Sequence, residues 1–333
     1  MKKFGVGLFV LLALIAVATT FTVGWRPFIG PRMRPVTDRQ FEPTPARLAR
    51  GDYLFHSVSG CVDCHTPHSP GPNGWMTLTG PDGSGEVFPL DGLPGTIAAP
   101  NITPDKETGI GNWTDDEVAR AIREGVDKGG RALFPLMPYE SYRSMSDEDL
   151  ASVVVYVRSL QPASHAVQPT EIIFPVKYLI RSVPEPVTSA VPPPDSSNAA
   201  SRGKYLVRMG GCSDCHTPQK RGEPIEGMGF AGGFIMTGQW GTVATANITP
   251  DPSGIAYYDE ALFREVMRTG MVHARKLSDI MPWNYYRGMP DQDLNDIFAY
   301  LKTLPPVAHR VDNTEKATLC KKCGAMHGLG EKN

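Results

Sequence analysis

Polar and apolar positions divide the chain unevenly. Residues 4–24 form a run of 21 uncharged positions behind Met1-Lys2-Lys3. A run of that length spans a bilayer and exceeds the usual apolar region of a signal peptide, which favours a membrane anchor. Ala16-Val17-Ala18 nevertheless offers a small-residue cleavage pattern, and Thr19, Thr20 and Thr22 dilute the last third, as in a cleaved signal segment. Lys2 and Lys3 on one flank face Arg26, Arg32 and Arg34 on the other, so flanking charge sets no orientation. Either reading carries the rest of a bacterial chain across the cytoplasmic membrane, to its periplasmic or extracytoplasmic side.

Beyond that run the pattern is written twice. Short helical stretches are expected at 46–55 and 199–209, each running into a cysteine-rich phrase. A second helix starts at Thr114, with Glu117 three positions on as a capping box and Val118, Ala121 and Ile122 on one face; its counterpart is 259–269. A last helix carries Leu150, Val153, Val154, Val157 and Leu160, matched by Leu294, Ile297, Phe298, Leu301 and Leu304. This i, i+3, i+4, i+7 stripe predicts an amphipathic helix closing each core. Val153-Val154-Val155 alone would favour a strand, but the match to the second half overrides them. Loops agree too: Asn101-Ile102-Thr103-Pro104-Asp105 is answered by Asn247-Ile248-Thr249-Pro250-Asp251, and Met137-Pro138-Tyr139 by Met281-Pro282-Trp283.

The pattern predicts an all-α chain with long loops and a duplicated domain. Residues 1–24 are the anchor or signal, 25–44 a linker, 45–165 the first domain, 166–198 a Pro-rich linker, 199–308 the second domain and 309–333 a polar tail. The apolar Ile172-Ile173-Phe174-Pro175-Val176 inside the linker is expected to pack on a domain. A length of 333 residues suits two cores. Hydrophobic and charged contents of 41% and 20% are those of a globular protein, and 34 Gly with 31 Pro imply much loop. A net charge of -2 without long basic runs excludes the electrostatic footprint of a nucleic-acid binder.

The repeated phrase is Cys61-Val62-Asp63-Cys64-His65-Thr66-Pro67 and, 151 positions later, Cys212-Ser213-Asp214-Cys215-His216-Thr217-Pro218. Cys-x-x-Cys-His is the attachment pattern of c-type haem. Two thiols one helical turn apart each reach a vinyl group of the porphyrin, and the next residue turns a ring nitrogen to the iron. Zinc ligation through both phrases is a rival, but zinc does not require histidine directly after the second cysteine. Thiol exchange is another, but it wants a strand-helix-strand context that is missing here. The reading is two covalently attached haems, held by Cys61, Cys64 and His65 and by Cys212, Cys215 and His216.

Each half offers two methionines for the opposite face of the iron. Met145 and Met289 precede helix starts and stand in staple relation to Leu150 and Leu294, which makes them structural. Met137 and Met281 lie in Pro-flanked loops and are the expected axial ligands. Such Met/His ligation fills both axial positions, which suits electron transfer rather than catalysis. His56, His68, His165, His273 and His309 are set aside because none is expected to have a counterpart in the other half. Asn101, Trp113 and Asn247 lie where they could meet haem propionates, with Trp113 or Trp240 equally suited to a core.

These phrases, with Gly109-Ile110-Gly111-Asn112-Trp113-Thr114-Asp115 and Met145-Ser146-Asp147-Glu148-Asp149-Leu150, resemble the cytochrome c subunits of membrane-bound alcohol, aldehyde and gluconate dehydrogenases. The resemblance covers about residues 46–306. It implies two tandem class I-like cytochrome c domains, a non-enzymatic electron-transfer subunit, a dehydrogenase or respiratory complex as donor, and an oxidase, quinone or other cytochrome as acceptor. Those subunits typically carry three haem phrases and this chain has two, so a two-haem relative with another donor or acceptor fits equally. A dihaem peroxidase is the enzyme alternative, but a Met-Pro loop in both halves argues against an open iron. In the tail, Cys320 and Cys323 have thiol spacing but Gly324 replaces the histidine and His327 comes later. A disulfide, a reduced pair or a small metal site is open there, and a third haem is not expected.

Overall fold

The computed structural model describes residues 2–71, 74–88, 92–220, 222–238, 240–314, 316, 318–319, 321 and 326–327. In chain order the helices are α1 (Lys2–Thr22), α2 (Arg26–Ile29), α3 (Pro45–Tyr53), α4 (Cys61–His65), α5 (Asp115–Glu124), α6 (Tyr139–Tyr142), α7 (Asp147–Ser159), α8 (Val176–Leu179), α9 (Ala199–Met209), α10 (Cys212–His216), α11 (Glu260–Thr269), α12 (Trp283–Tyr286) and α13 (Asp291–Leu301). The expected all-α fold needs correcting. Short antiparallel pairs join His68–Gly71 to Gly74–Leu78, Glu86–Val87 to Ala98–Ala99, and Ile235–Gly238 to Gly241–Ala244. The long Gly-rich loops satisfy their backbone groups by folding back on themselves, because buried amides need partners.

Two helix crossings organise the chain. α3 packs on α7 in the first half and α9 on α13 in the second. Glycine permits both. A Cβ on Gly51 would overlap the Ser152 carbonyl of α7, and one on Gly203 the Asp296 carbonyl of α13. The expected apolar stripes face inward at these crossings: Leu150, Val153, Val154 and Val157, and Leu294, Ile297, Phe298 and Leu301, are all buried. Each such side chain stabilises the fold by about 1.5–3 kcal/mol. The Val153-Val154-Val155 segment is helical.

Local signals are met at the ends of the other helices. Thr114 and Glu117 form the reciprocal capping box of α5, and Asp259 caps α11 by accepting from Leu262 N–H. The stretch expected as one helix at 46–55 behaves differently: α3 ends at Tyr53 and Leu54–Val58 is wound as a π turn. The sequence shows why. Gly51 lies ten positions before Cys61, but Gly203 lies nine before Cys212. A π turn absorbs one inserted residue while keeping both flanking helices in register.

The halves share one apolar core. Across it the Tyr205 hydroxyl donates to Asp149 Oδ2 at 2.7 Å and accepts from Ser146 N–H at 3.1 Å, and the Tyr53 hydroxyl bonds Asp293. Two further segments wrap the first half. Arg34 pairs with Asp116 at 2.6 Å and Glu124 at 2.7 Å, fixing the stretch before α3. The segment after α7 is no free linker at its start. Thr170 Oγ1 bonds Ala98, Glu171–Ile172 pairs with Gly95–Thr96, and Ile173 N–H donates to Pro94 O at 2.9 Å. The 172–176 segment is thus held to the first half through its backbone, but Ile173 and Phe174, expected to pack on a domain, are exposed. In α1, the side chains of residues 2–6, 8–9, 12, 15 and 18 lie outside the described set. Among the described residues no helix is long and apolar enough to cross a membrane.

Candidate functional site

α4 and α10 are single turns opened by Gly60 and Gly211, whose φ values of 58° and 64° lie in the left-handed region that favours glycine. Each turn stacks its two cysteines one above the other and presents the following histidine inward. His65 and His216 are buried. His65 Nδ1 donates to Pro100 O at 2.8 Å, and His216 Nδ1 donates to Ala246 O at 2.7 Å. With the proton held at Nδ1, Nε2 keeps its lone pair for a metal. Burial pushes both imidazoles below their ordinary pKa, against a smaller opposing effect of the carbonyl bond, so both are neutral at pH 7 as ligation requires. The histidine carbonyls are used too. Gly85 N–H donates to His65 O at 2.7 Å and Gly232 N–H to His216 O at 2.8 Å.

A cavity of about 1150 Å³ opens beside α4. Ligand cavities typically run to ~1,000 Å³, so this one has room for a porphyrin. Its wall brings Cys61, Cys64 and His65 together with Met137, and Ile102, Ile110, Val118 and Val153 make it largely apolar. Trp113 also lines it. Gly211, Asp214 and Cys215 touch the same cavity, so the second attachment turn abuts the first site. Burial pushes the Cys61 and Cys212 thiols up to about 12 and Cys215 to about 11. They are neutral thiols, unlike the low-pKa thiolates of exchange enzymes. Among the described residues no group of three or more His, Cys, Asp or Glu is arranged to hold a metal ion. A haem fits the donor set, the neutral imidazole and the apolar wall.

The two methionine loops have one geometry. Met137 N–H donates to Phe134 O at 3.1 Å and Met281 N–H to Ser278 O at 3.0 Å. Tyr139 N–H then bonds Met137 O, and Trp283 N–H bonds Met281 O, each at 2.8 Å. Each loop is held over a left-handed glycine that ends the preceding helix. A Cβ on Gly125 (φ 70°) or Gly270 (φ 68°) would run into the ring of Tyr139 or Trp283. Met281 is half-buried against the core. Met145 and Met289 are each 1% exposed, and Met145 also forms part of the cavity wall.

Several expectations change here. Asn101 and Asn247 are clasps within the protein. Asn101 Nδ2 donates to Ala163 O at 2.7 Å and to Thr108 Oγ1 at 3.0 Å, and its Oδ1 accepts from Thr103 N–H and hydroxyl; Asn247 repeats this with Val307, Ser253 and Thr249. Their amides have no capacity left for a propionate. His165 and His309 do correspond, contrary to expectation. His165 Nδ1 bonds Ser84 O at 2.8 Å, and His309 Nδ1 bonds Ala231 O at 2.9 Å. His56 lies between Asp52 and Asp82, and His68 between Asp63 and Glu86. Sequence reading missed the Pro100 and Ala246 carbonyls, although each directly precedes the repeated asparagine. In the tail, Thr318–Leu319 pairs with Met326–His327, and Cys320 and Cys323 lie outside the described residues.

Residues 200–305 match the family model described as cytochrome c. The chain is 31% identical over 80% of its length to the fructose dehydrogenase cytochrome subunit of Gluconobacter japonicus, covering 55% of that protein. It is 30% identical over 78% of its length to the gluconate 2-dehydrogenase cytochrome c subunit of Pantoea cypripedii, covering 60%. The chain thus resembles the cytochrome c subunits of these dehydrogenases. It spans little more than half the length of those two proteins. A diheme cytochrome c-type protein of Cereibacter sphaeroides, 29% identical over 80% of the chain, is covered over 89% of its length. The family match and that relative indicate covalently bound haem c.

Proposed function

We propose that the chain is a dihaem cytochrome c, built of two tandem domains, that relays single electrons from a dehydrogenase or another respiratory donor to a respiratory acceptor. The observation that carries this reading is the duplicated turn in which a buried histidine, fixed through Nδ1 to a backbone carbonyl, follows two cysteines. Cys61, Cys64 and His65 would hold one haem with Met137, and Cys212, Cys215 and His216 the other with Met281. Bound haem supplies a one-electron iron couple, and Met/His ligation raises its potential. The protein's part is positional. Neutral imidazoles are presented at Nε2, the Met loops are braced on Gly125 and Gly270, and the largely apolar wall beside α4 would exclude water from the first site. The contact of Gly211, Asp214 and Cys215 with the first cavity supports direct transfer between sites. α1 would anchor the chain in the cytoplasmic membrane of a bacterium, with the haem domains on the periplasmic side.

Matched Met loops in both halves favour a relay over a dihaem peroxidase, which needs an open iron. A potentiometric titration followed by absorbance and electron paramagnetic resonance tests the choice. Two one-electron, low-spin centres are expected; a high-spin centre with peroxide turnover would overturn the reading.

A further inference from the structure

The first half carries an apolar patch that the fold does not require. α2 packs against α8 and the turn Ile180–Ser182, and Arg181 Nη1 ties them by donating to Pro27 O at 3.0 Å. The joined surface exposes Phe28 at 65%, Ile29 at 69%, Ile173 at 57% and Phe174 at 76%. Lys177 and Arg181 flank it, each lying against the Tyr178 ring at 5.1 and 4.8 Å. The sequence of the second half shows that such a patch is optional. After the matching Thr170-Glu171 and Thr314-Glu315, the first half continues Ile172-Ile173-Phe174 and the second Lys316-Ala317-Thr318.

We infer that this α2–α8 patch rests on the surface of an anionic lipid bilayer. Aromatic and aliphatic side chains ringed by Lys and Arg are the composition of an interfacial segment. Chain continuity points the same way. From Thr22 at the end of α1 to Arg26 at the start of α2 is four residues, a reach of no more than about 14 Å. With α1 in the bilayer, α2 lies at the headgroups and brings α8 with it. The inference rests on the reading of α1 as an anchor. Phe28, Ile29, Lys177 and Arg181 also line the cavity beside α4, so the docked patch turns the mouth of the first site toward the membrane.

The test uses the full haem-loaded chain in vesicles of phosphatidylcholine alone or with phosphatidylglycerol, read by hydrogen exchange. Amides of 25–30 and 172–182 are expected to exchange several-fold more slowly in the anionic vesicles, with those of 241–270 unchanged. The I173S/F174S variant is expected to lose this slowing while keeping both haems. Unchanged exchange, slowing that persists in the variant, or slowing that appears only when a dehydrogenase partner is added would overturn the inference. Flotation with neutral vesicles reports α1 separately. A chain that does not float but still shows anionic-dependent slowing contradicts the anchor and retains the patch.

Discussion

Tyr205 and Asp149, from opposite halves of the chain, are joined by a 2.7 Å hydrogen bond, and Tyr53 and Asp293 make the same bond in the reverse direction. Each tyrosine stands two positions after the crossing glycine of its own half, and each carboxylate lies in the first turn of the other half's closing helix. The halves are thereby locked by a pseudo-two-fold pair of contacts around the shared core. Residues of both attachment turns line the cavity beside α4.

Replacing Tyr205 by Phe should loosen it measurably. The change leaves Ser146 N–H without its partner and removes one bond from the Asp149 carboxylate, which keeps its paired bonds to Arg50 at 2.8 Å. A buried donor left unsatisfied costs about 1–3 kcal/mol. Denaturant unfolding of Y205F should show a loss of that size with haem content unchanged.

The crossing glycines should tolerate less. A methyl group at Gly203 meets the Asp296 carbonyl, and backbone cannot move aside as a flexible side chain would. G203A should destabilise the second half by 3 kcal/mol or more by the scale of overpacked cores, about 1–3 kcal/mol and occasionally higher. Melting temperature and the yield of haem-loaded protein both report it, and G229A, where nothing lies within 4 Å of the added Cβ, serves as control.

Acid should release the segment held by Arg34. Burial alone would raise the Asp116 carboxyl, but the Arg34 guanidinium, with the Thr37 N–H and hydroxyl, outweighs it and holds the group down to about 2. A depressed folded-state pKa gives stability that is present above the unfolded value and is lost as pH falls through the folded one. The window therefore runs from about pH 4 down to pH 2, and the contribution is about 2 kcal/mol. Wild type and D116N, compared by unfolding across that range, should differ at pH 6 and converge near pH 2.

The methionine assignment separates two neighbouring residues. M137A should remove the sulfur-to-iron charge-transfer absorption of one haem and lower its potential, because Met/His ligation raises it. M145L, a volume-conserving change at a buried position, should keep both features and cost less than about 1.5 kcal/mol. Spectra and redox titrations of the two variants check this, and the reverse pattern would move the ligand to Met145.

Much of this arrangement was legible because it is local or repeated. The Cys-x-x-Cys-His phrases, the Thr114–Glu117 box and the Leu150 and Leu294 stripes are short-range patterns, and each occupies the element predicted. Other features depend on partners far along the chain. Asn101 is tied to Ala163 and Arg34 to Asp116, and no periodicity reveals such pairs. The match of His165 with His309 is hidden when the halves are aligned on their cysteines, 151 apart, since the later elements are 144 apart. The Leu54–Val58 π turn was foreshadowed by one extra residue before Cys61, a signal that apolar periodicity alone passes over.

The central claim is two haems on two repeated turns. Pyridine haemochrome analysis combined with the intact mass of the purified chain tests it most directly. Two covalently attached haems per chain are expected, falling to one in H216A/C212A/C215A with the first site still loaded. One or three haems in the unaltered chain would contradict the account.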